Sequence, residues 1–221
     1  MIGLWEGLKS ILAQVLIFFH AMVGDYGLAI VLLTVAVRVF MLLLTIKQTK
    51  SMYEMQKIQP KLRELQEKYK GNKEKLQQEM MKFYAENKIN PFGGCLPLLL
   101  QLPIFIALYR VLIETRALIH AKSFFGLLVL GTAPKVAMAS GVAFIPYLIL
   151  IALMAITTYL QQRMVTTDAQ QQKIGLYMVP LMIFIAWSLP AGVLIYWVTT
   201  NVWTVAQQYV TLRAVRAAES K

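Results

Sequence analysis

The chain has 221 residues, 58% of them hydrophobic, one cysteine and a formal charge of +11. So apolar a composition lies outside the soluble globular range and points to a polytopic membrane protein, while a lone Cys95 excludes an internal disulfide or a multi-cysteine metal site. The basic excess would suit a nucleic-acid binder in a soluble chain; here its distribution between apolar runs carries the information, and no nucleic-acid substrate is expected.

Residues 1–23 place Trp5, Leu8, Leu12, Val15 and Phe19 at helical spacing. The pattern predicts an amphipathic helix lying in the membrane interface. A cleaved signal peptide is the alternative, but Glu6 stands where its basic region belongs and no lipobox cysteine follows. Residues 24–46 form the first predicted span, centred on LAIVLLTVAVRVFMLLLTI from Leu28 to Ile46, with Lys47 directly after it. As a helix this run measures about 28 Å, close to a bilayer's hydrocarbon thickness. Arg38 falls roughly 15 Å from the Leu28 end, too deep to reach either interface with ease. At that depth an arginine costs ~2.5–3.5 kcal/mol even on insertion scales, so it must face water or a polar partner.

Residues 47–90 are polar. Met55, Ile58, Leu62, Leu65 and Tyr69 follow a coiled-coil rhythm, Gly71-Asn72 signals a turn, and Leu76, Met80 and Phe83 resume it. This predicts a cytoplasmic antiparallel helical hairpin, bent or interrupted near Pro60 and mobile relative to the membrane core. It is either a solvated connector or a docking arm; its length favours the arm, with Lys61, Arg63, Lys68, Lys70, Lys73 and Lys75 as candidate partner-binding residues. Residues 91–113 are the second span, with Pro97 and Pro103 inside it. An irregular, partly helical external loop (114–141) leads to the third span, 142–162. After a short loop (163–173) come a short fourth span (174–189), a Pro190-Ala191-Gly192 turn within a fifth span (190–212), and a tail (213–221).

Lysine and arginine set the orientation. Eleven lie in 47–94, two in 161–173 and three after 210, against five on the opposite side. The expectation is an all-α membrane protein of five transmembrane helices, N-terminus outside and C-terminus in the cytoplasm.

Three spans carry polar groups at similar depth. Thr34 stands one turn from Arg38, Gln101 lies within the second span, and Tyr196, Thr200, Trp203 and Gln207 form one stripe of the fifth, with Trp197 beside it. Each has a plain alternative. Thr34 can bond its own helix carbonyl, Gln101 can bridge two helices, and Tyr196 and Trp197 can be belt aromatics. Arg38 differs, because no Asp or Glu occurs in the apolar run from Leu28 to Ile46 or in the other four spans. An unpaired cation there implies a water-filled cavity. No hydrolase or metal motif appears and arginine does not titrate usefully, so neither an enzyme nor a cofactor is expected.

The run KQTKSMYEMQKIQPKLRELQEKYKGNKEKLQQEMMKFYAENKINPFGGCLPLLLQLPIF resembles the signature region of the YidC/Oxa/Alb membrane-protein insertases. LPAGVLIYWVTTNVWTVAQQY and TVAVRVFMLLLTIKQTK are similar to the same family. The resemblance is to the short bacterial form, without a large external domain or a long basic tail. It implies a five-helix core in the bacterial plasma (inner) membrane, with a hydrophilic groove open to cytoplasm and lipid. Arg38, Thr34, Gln101, Tyr196 and Trp197 match groove positions, and residues 47–88 match the cytoplasmic hairpin. The implied function is insertion and folding of membrane proteins, alone or with the Sec translocon. Implied partners are nascent chains with short, often acidic external segments, the lipid bilayer, the ribosome, and the signal recognition particle or its receptor. An anion-selective channel or small transporter using the Arg38 cavity is the rival reading.

Overall fold

A computed structural model describes residues 2–87, 96–140, 144–165 and 169–219. Cys95, Asp168 and the start of the second predicted span lie outside them. The described chain is almost entirely helical, built around α10 (Ala191–Glu219), which packs against α8 (Ile145–Val165), α2 (Tyr26–Phe40), α3 (Leu42–Lys68) and α5 (Leu96–Glu114). Helix α1 (Ile2–Val23) lies on α2 and α5, and α9 (Ala169–Ala186) lies on α8. Among the described residues, two helices, α1 and α8, contain runs long and apolar enough to cross a bilayer; α2 and α3 together make a third, bent one. Exposed Phe40, Leu43, Ile145, Tyr177 and Phe184 give the bundle an apolar exterior. Such a surface needs lipid rather than water.

Local chemistry sets the joints. Gly24, at φ +70°, takes the left-handed conformation that ends α1, its N–H donating to the His20 carbonyl at 2.8 Å. Asp25 then caps α2 by accepting from the Leu28 N–H at 3.0 Å. The stripe predicted on α1 faces inward. Leu12 and Leu16 are buried against Ala29, Ile30, Ala107, Leu108 and Leu112, with Trp5, Leu8, Val15 and Phe19 beside them. Lys9 pairs with Glu114 at 3.2 Å, at the far end of α5.

The first predicted span does not run straight to Ile46. It breaks at Met41, where α2 and α3 meet at 67°. The Thr45 hydroxyl donates toward the Met41 and Leu42 carbonyls, and Gln207 of α10 donates to Thr45. The bend is thus held by a tertiary contact, with no glycine or proline to announce it. Helix α2 alone has 15 residues, about 22 Å of rise.

The hairpin forms as α3 and α4 (Lys73–Glu86), joined through Tyr69–Asn72, with Asn72 capping α4. Of the two expected outcomes at Pro60, interruption does not occur: α3 runs through it. Pro60 is exposed, so the carbonyl that lacks its donor can be hydrated. The base of α3 is also tied down. Gln56 donates to the Met164 carbonyl at 3.2 Å, and Arg216 lies over the Tyr53 ring.

Three further boundaries differ. The external loop is more ordered than expected, with α6 (Arg116–Ile119), an antiparallel hairpin of β1 (Lys122–Ser123) and β2 (Leu128–Val129), and α7 (Pro134–Ser140). Helix α9 starts within the predicted loop 163–173 and ends at Ala186. Helix α10 continues through residues assigned to the tail as far as Glu219.

Candidate functional site: a polar inner half beneath an apolar cap

The buried residues divide by level. Around the starts of α2 and α10 and the end of α5 the core is apolar: Leu12, Leu16, Ala29, Ile30, Leu33, Leu108, Leu112, Val193 and Ile195. Gly192 shows how tight this region is, since a Cβ there would meet Leu112 at 3.2 Å and Ile30 at 3.4 Å. Further along the same helices the buried residues turn polar: Arg38, Thr45, Gln48 and Thr49 from α2 and α3, and Thr200, Asn201, Gln208 and Thr211 from α10.

Arg38 sits at the boundary between the two. It is 8% exposed, and among the described residues no hydrogen bond or ion pair reaches it. Its remaining 8% exposure leaves the side chain a narrow contact with accessible space. Tyr196 faces it across the α2–α10 contact. The Tyr196 hydroxyl and the Thr200 hydroxyl one turn on are both buried and lie close enough to interact with each other, with no other partner among the described residues. Phe105 of α5 packs against two aromatic residues of α10, with ring centroids 6.3 Å from Tyr196 and 5.6 Å from Trp197. Gln101 stands half-buried one turn earlier on α5.

Thr34 takes the plain alternative. Its hydroxyl donates to the Ile30 carbonyl at 2.6 Å, and the side chain is buried, which leaves no donor for the cavity. Trp203 also lies apart from Arg38; its indole N–H donates to Gln207 at 2.9 Å, and Gln207 donates to Thr45. It therefore belongs to the ladder that fixes the α2–α3 bend. The six hairpin residues Lys61, Arg63, Lys68, Lys70, Lys73 and Lys75 are all exposed, far along the chain from the cavity.

Four polar positions escaped the sequence reading. Asn201 donates to Thr157 and Thr158 of α8, at 3.3 and 3.0 Å, and binds α10 to α8 inside the bundle. Gln48 is 5% exposed with both amide atoms unpartnered, and the Gln208 carbonyl oxygen is likewise buried and unpaired. Thr211 is buried as well. Contacts of Thr45 with Gln207 and of Tyr53 with Arg216 show α3 and α10 running parallel in register. Gln48 therefore lies level with Gln208–Thr211. The spacing of Asn201 and Gln208, seven residues and so one face, was the signal available. Gln48 follows Lys47 directly and reads from sequence as the start of a solvated loop.

Residues 18–218 match the family model described as 60Kd inner membrane protein. The chain belongs to that family. It is 38% identical over 222 residues to a membrane protein insertase YidC of Geobacter sulfurreducens, covering all of this chain and 40% of that protein. The corresponding protein of Cellvibrio japonicus is 40% identical over 221 residues, 99% of this chain and 38% of that one. This member thus spans about two fifths of the length of the curated relatives it matches. Its fold also resembles the crystal structure of an active YidC insertase with the first transmembrane domain resolved. There the TM-score is 0.72 at 26% identity, over 91% of this chain and 45% of that one. Family and fold together establish a multi-pass, helical inner-membrane protein.

Proposed function

We propose that this protein inserts other membrane proteins into the bilayer through the polar inner half of its bundle. The observation that carries the reading is Arg38: 8% exposed and without a hydrogen-bond or ion-pair partner among the described residues. A cation so placed attracts an acidic segment that lacks a counter-ion. Tyr196, Thr200, Gln101 and the buried amides below offer hydrogen bonds in place of lost water.

In this reading five spans cross the membrane, with the N-terminus outside and the C-terminus and hairpin in the cytoplasm. Helix α1 rests across the outer ends of the spans, which its Lys9–Glu114 pair supports. A client's short external segment enters from the cytoplasm toward Arg38, and its apolar helix moves sideways into lipid. Each strongly apolar residue transferred contributes roughly −0.3 to −0.6 kcal/mol, so a helix of ordinary span length offsets the several kcal/mol needed to move one or two charges. The hairpin receives the client from ribosome, signal recognition particle or receptor, and the Sec translocon handles longer external regions. An anion channel would need a polar path through the outer half, where the core is apolar.

The test is insertion of a single-span client with a short acidic N-terminal tail into vesicles carrying only this protein. Arg38→Ala slows insertion, and Arg38→Lys largely preserves it. Full activity of the alanine variant would remove charge capture from the mechanism.

A further inference from the structure

The insertion reading leaves one exposed, strained feature unused: the tip of the external β-hairpin. Its stem is fixed from several sides. Ser123, fully buried, donates to Asp25 Oδ1 at 2.5 Å and accepts from the Gly27 N–H at 2.6 Å. The Phe124 N–H donates to Asp25 Oδ2 at 2.7 Å. On the other strand, the Val129 N–H donates to the hydroxyl of buried Tyr147 at 3.0 Å. A Cβ on Gly27 would run into Ser123 and Phe124 at 2.7 Å, so the joint admits only glycine without displacement.

Beyond this stem the chain turns through three consecutive left-handed residues, Phe124, Phe125 and Gly126, at φ +52°, +60° and +83°. Left-handed backbone is unfavourable for bulky side chains and persists where the surroundings impose it. Here the imposed geometry turns the Phe125 ring out to full exposure, with Leu127 half-exposed beside it. An isolated hairpin this short would not hold such a shape; the Asp25 latch does.

The level of the tip identifies what it meets. Through Gly27 and Asp25 it is fixed to the first turn of α2. That helix offers only about 22 Å of rise before the Met41 bend, against a hydrocarbon layer of about 30 Å. The apolar run itself begins at Leu28, three residues after Asp25, which puts the first turn of α2 at the edge of the hydrocarbon rather than above the headgroups. Phe18, Met22 and Val23 of α1, just before Asp25 in the chain, are also exposed and apolar. Aromatic residues favour this depth. From these observations we infer that the Phe125–Leu127 tip is a lipid-anchoring element, held by Asp25 so that Phe125 enters the outer leaflet interface.

The test uses the full chain with Cys95→Ser, carrying a nitroxide at Phe125→Cys, in nanodiscs of phosphatidylethanolamine and phosphatidylglycerol. Collision rates with oxygen, which concentrates in lipid, and with a water-soluble nickel chelate report the depth. The oxygen-to-nickel ratio at 125, and at a second label on Leu127→Cys, exceeds that of a water-exposed control at Lys73→Cys. Adding Asp25→Ala lowers the ratio at 125. Collisions at 125 and 127 matching the Lys73 control would overturn the anchor, leaving this tip to an external protein; an unchanged ratio after Asp25→Ala would overturn the latch. Neither result depends on whether the protein inserts clients.

Discussion

A buried guanidinium without a carboxylate is tolerable only if water or a visiting anion completes its hydrogen bonds. Arg38 meets that condition by position, at the boundary where the apolar cap ends and the polar half begins. Thr34, one turn away, contributes packing, because its proton is spent on its own helix. Asp25 is the opposite case, a carboxylate with more donors than it needs. Burial pushes its pKa up, but hydrogen bonds from the Ser123 hydroxyl and from the N–H groups of Leu28 and Phe124 outweigh this and leave it below the ordinary value. A depressed carboxyl contributes stability that is complete above its unfolded pKa and is lost as pH falls through the folded one. Asp25→Ala should thus cost roughly 1–3 kcal/mol at neutral pH. Thermal unfolding in detergent across pH checks it: the gap between the two proteins closes in acid, below about pH 4. A gap that persists unchanged there would show that the carboxylate charge is not what holds the loop.

At the scale of elements, the seam between α3 and α10 holds amides that fold into place without partners. Each such group costs about 1–3 kcal/mol when dry. Replacing Gln48 and Gln208 together by leucine should leave thermal stability equal or higher while slowing client insertion. Lower stability with normal insertion would make the pair structural. The hairpin has two parts with different work. Its base, tied by Gln56 to α8 and lying under Arg216, belongs to the bundle; its outer part carries the exposed lysines. Replacing residues 58–83 by a short Gly-Ser linker should weaken delivery from ribosomes more than insertion of a released client. Equal loss in both assays would count against a receiving role. Much of this arrangement was legible in the sequence, because apolar runs, the hairpin's seven-residue rhythm and the misplaced Arg38 are local patterns. The Met41 bend was not, since Thr45 and Gln207 make it across the fold. Nor was the external β-hairpin, whose two-residue strands depend on Asp25 and Tyr147 rather than on their own propensity.

For the whole molecule, the arrangement is an asymmetry along the bundle: leucine and isoleucine close one end, and threonine, asparagine, glutamine and arginine line the other. Such a body lowers the barrier over part of the membrane without opening a hole through it. In the proposed insertion, a short polar segment is held halfway while its neighbouring helix finds lipid. Long or highly charged segments exceed what the polar half can satisfy, and their insertion should fall as acidic residues are added to the tail. The central claim is that a client chain occupies the space beside Arg38. It is tested most directly by a photo-crosslinking amino acid at Gln101, activated while a short-tailed client is being translated on membranes. The account predicts adducts between position 101 and the client's external segment, weakened by Arg38→Ala. A client that inserts fully under this protein's action, yet never crosslinks from position 101, would contradict it.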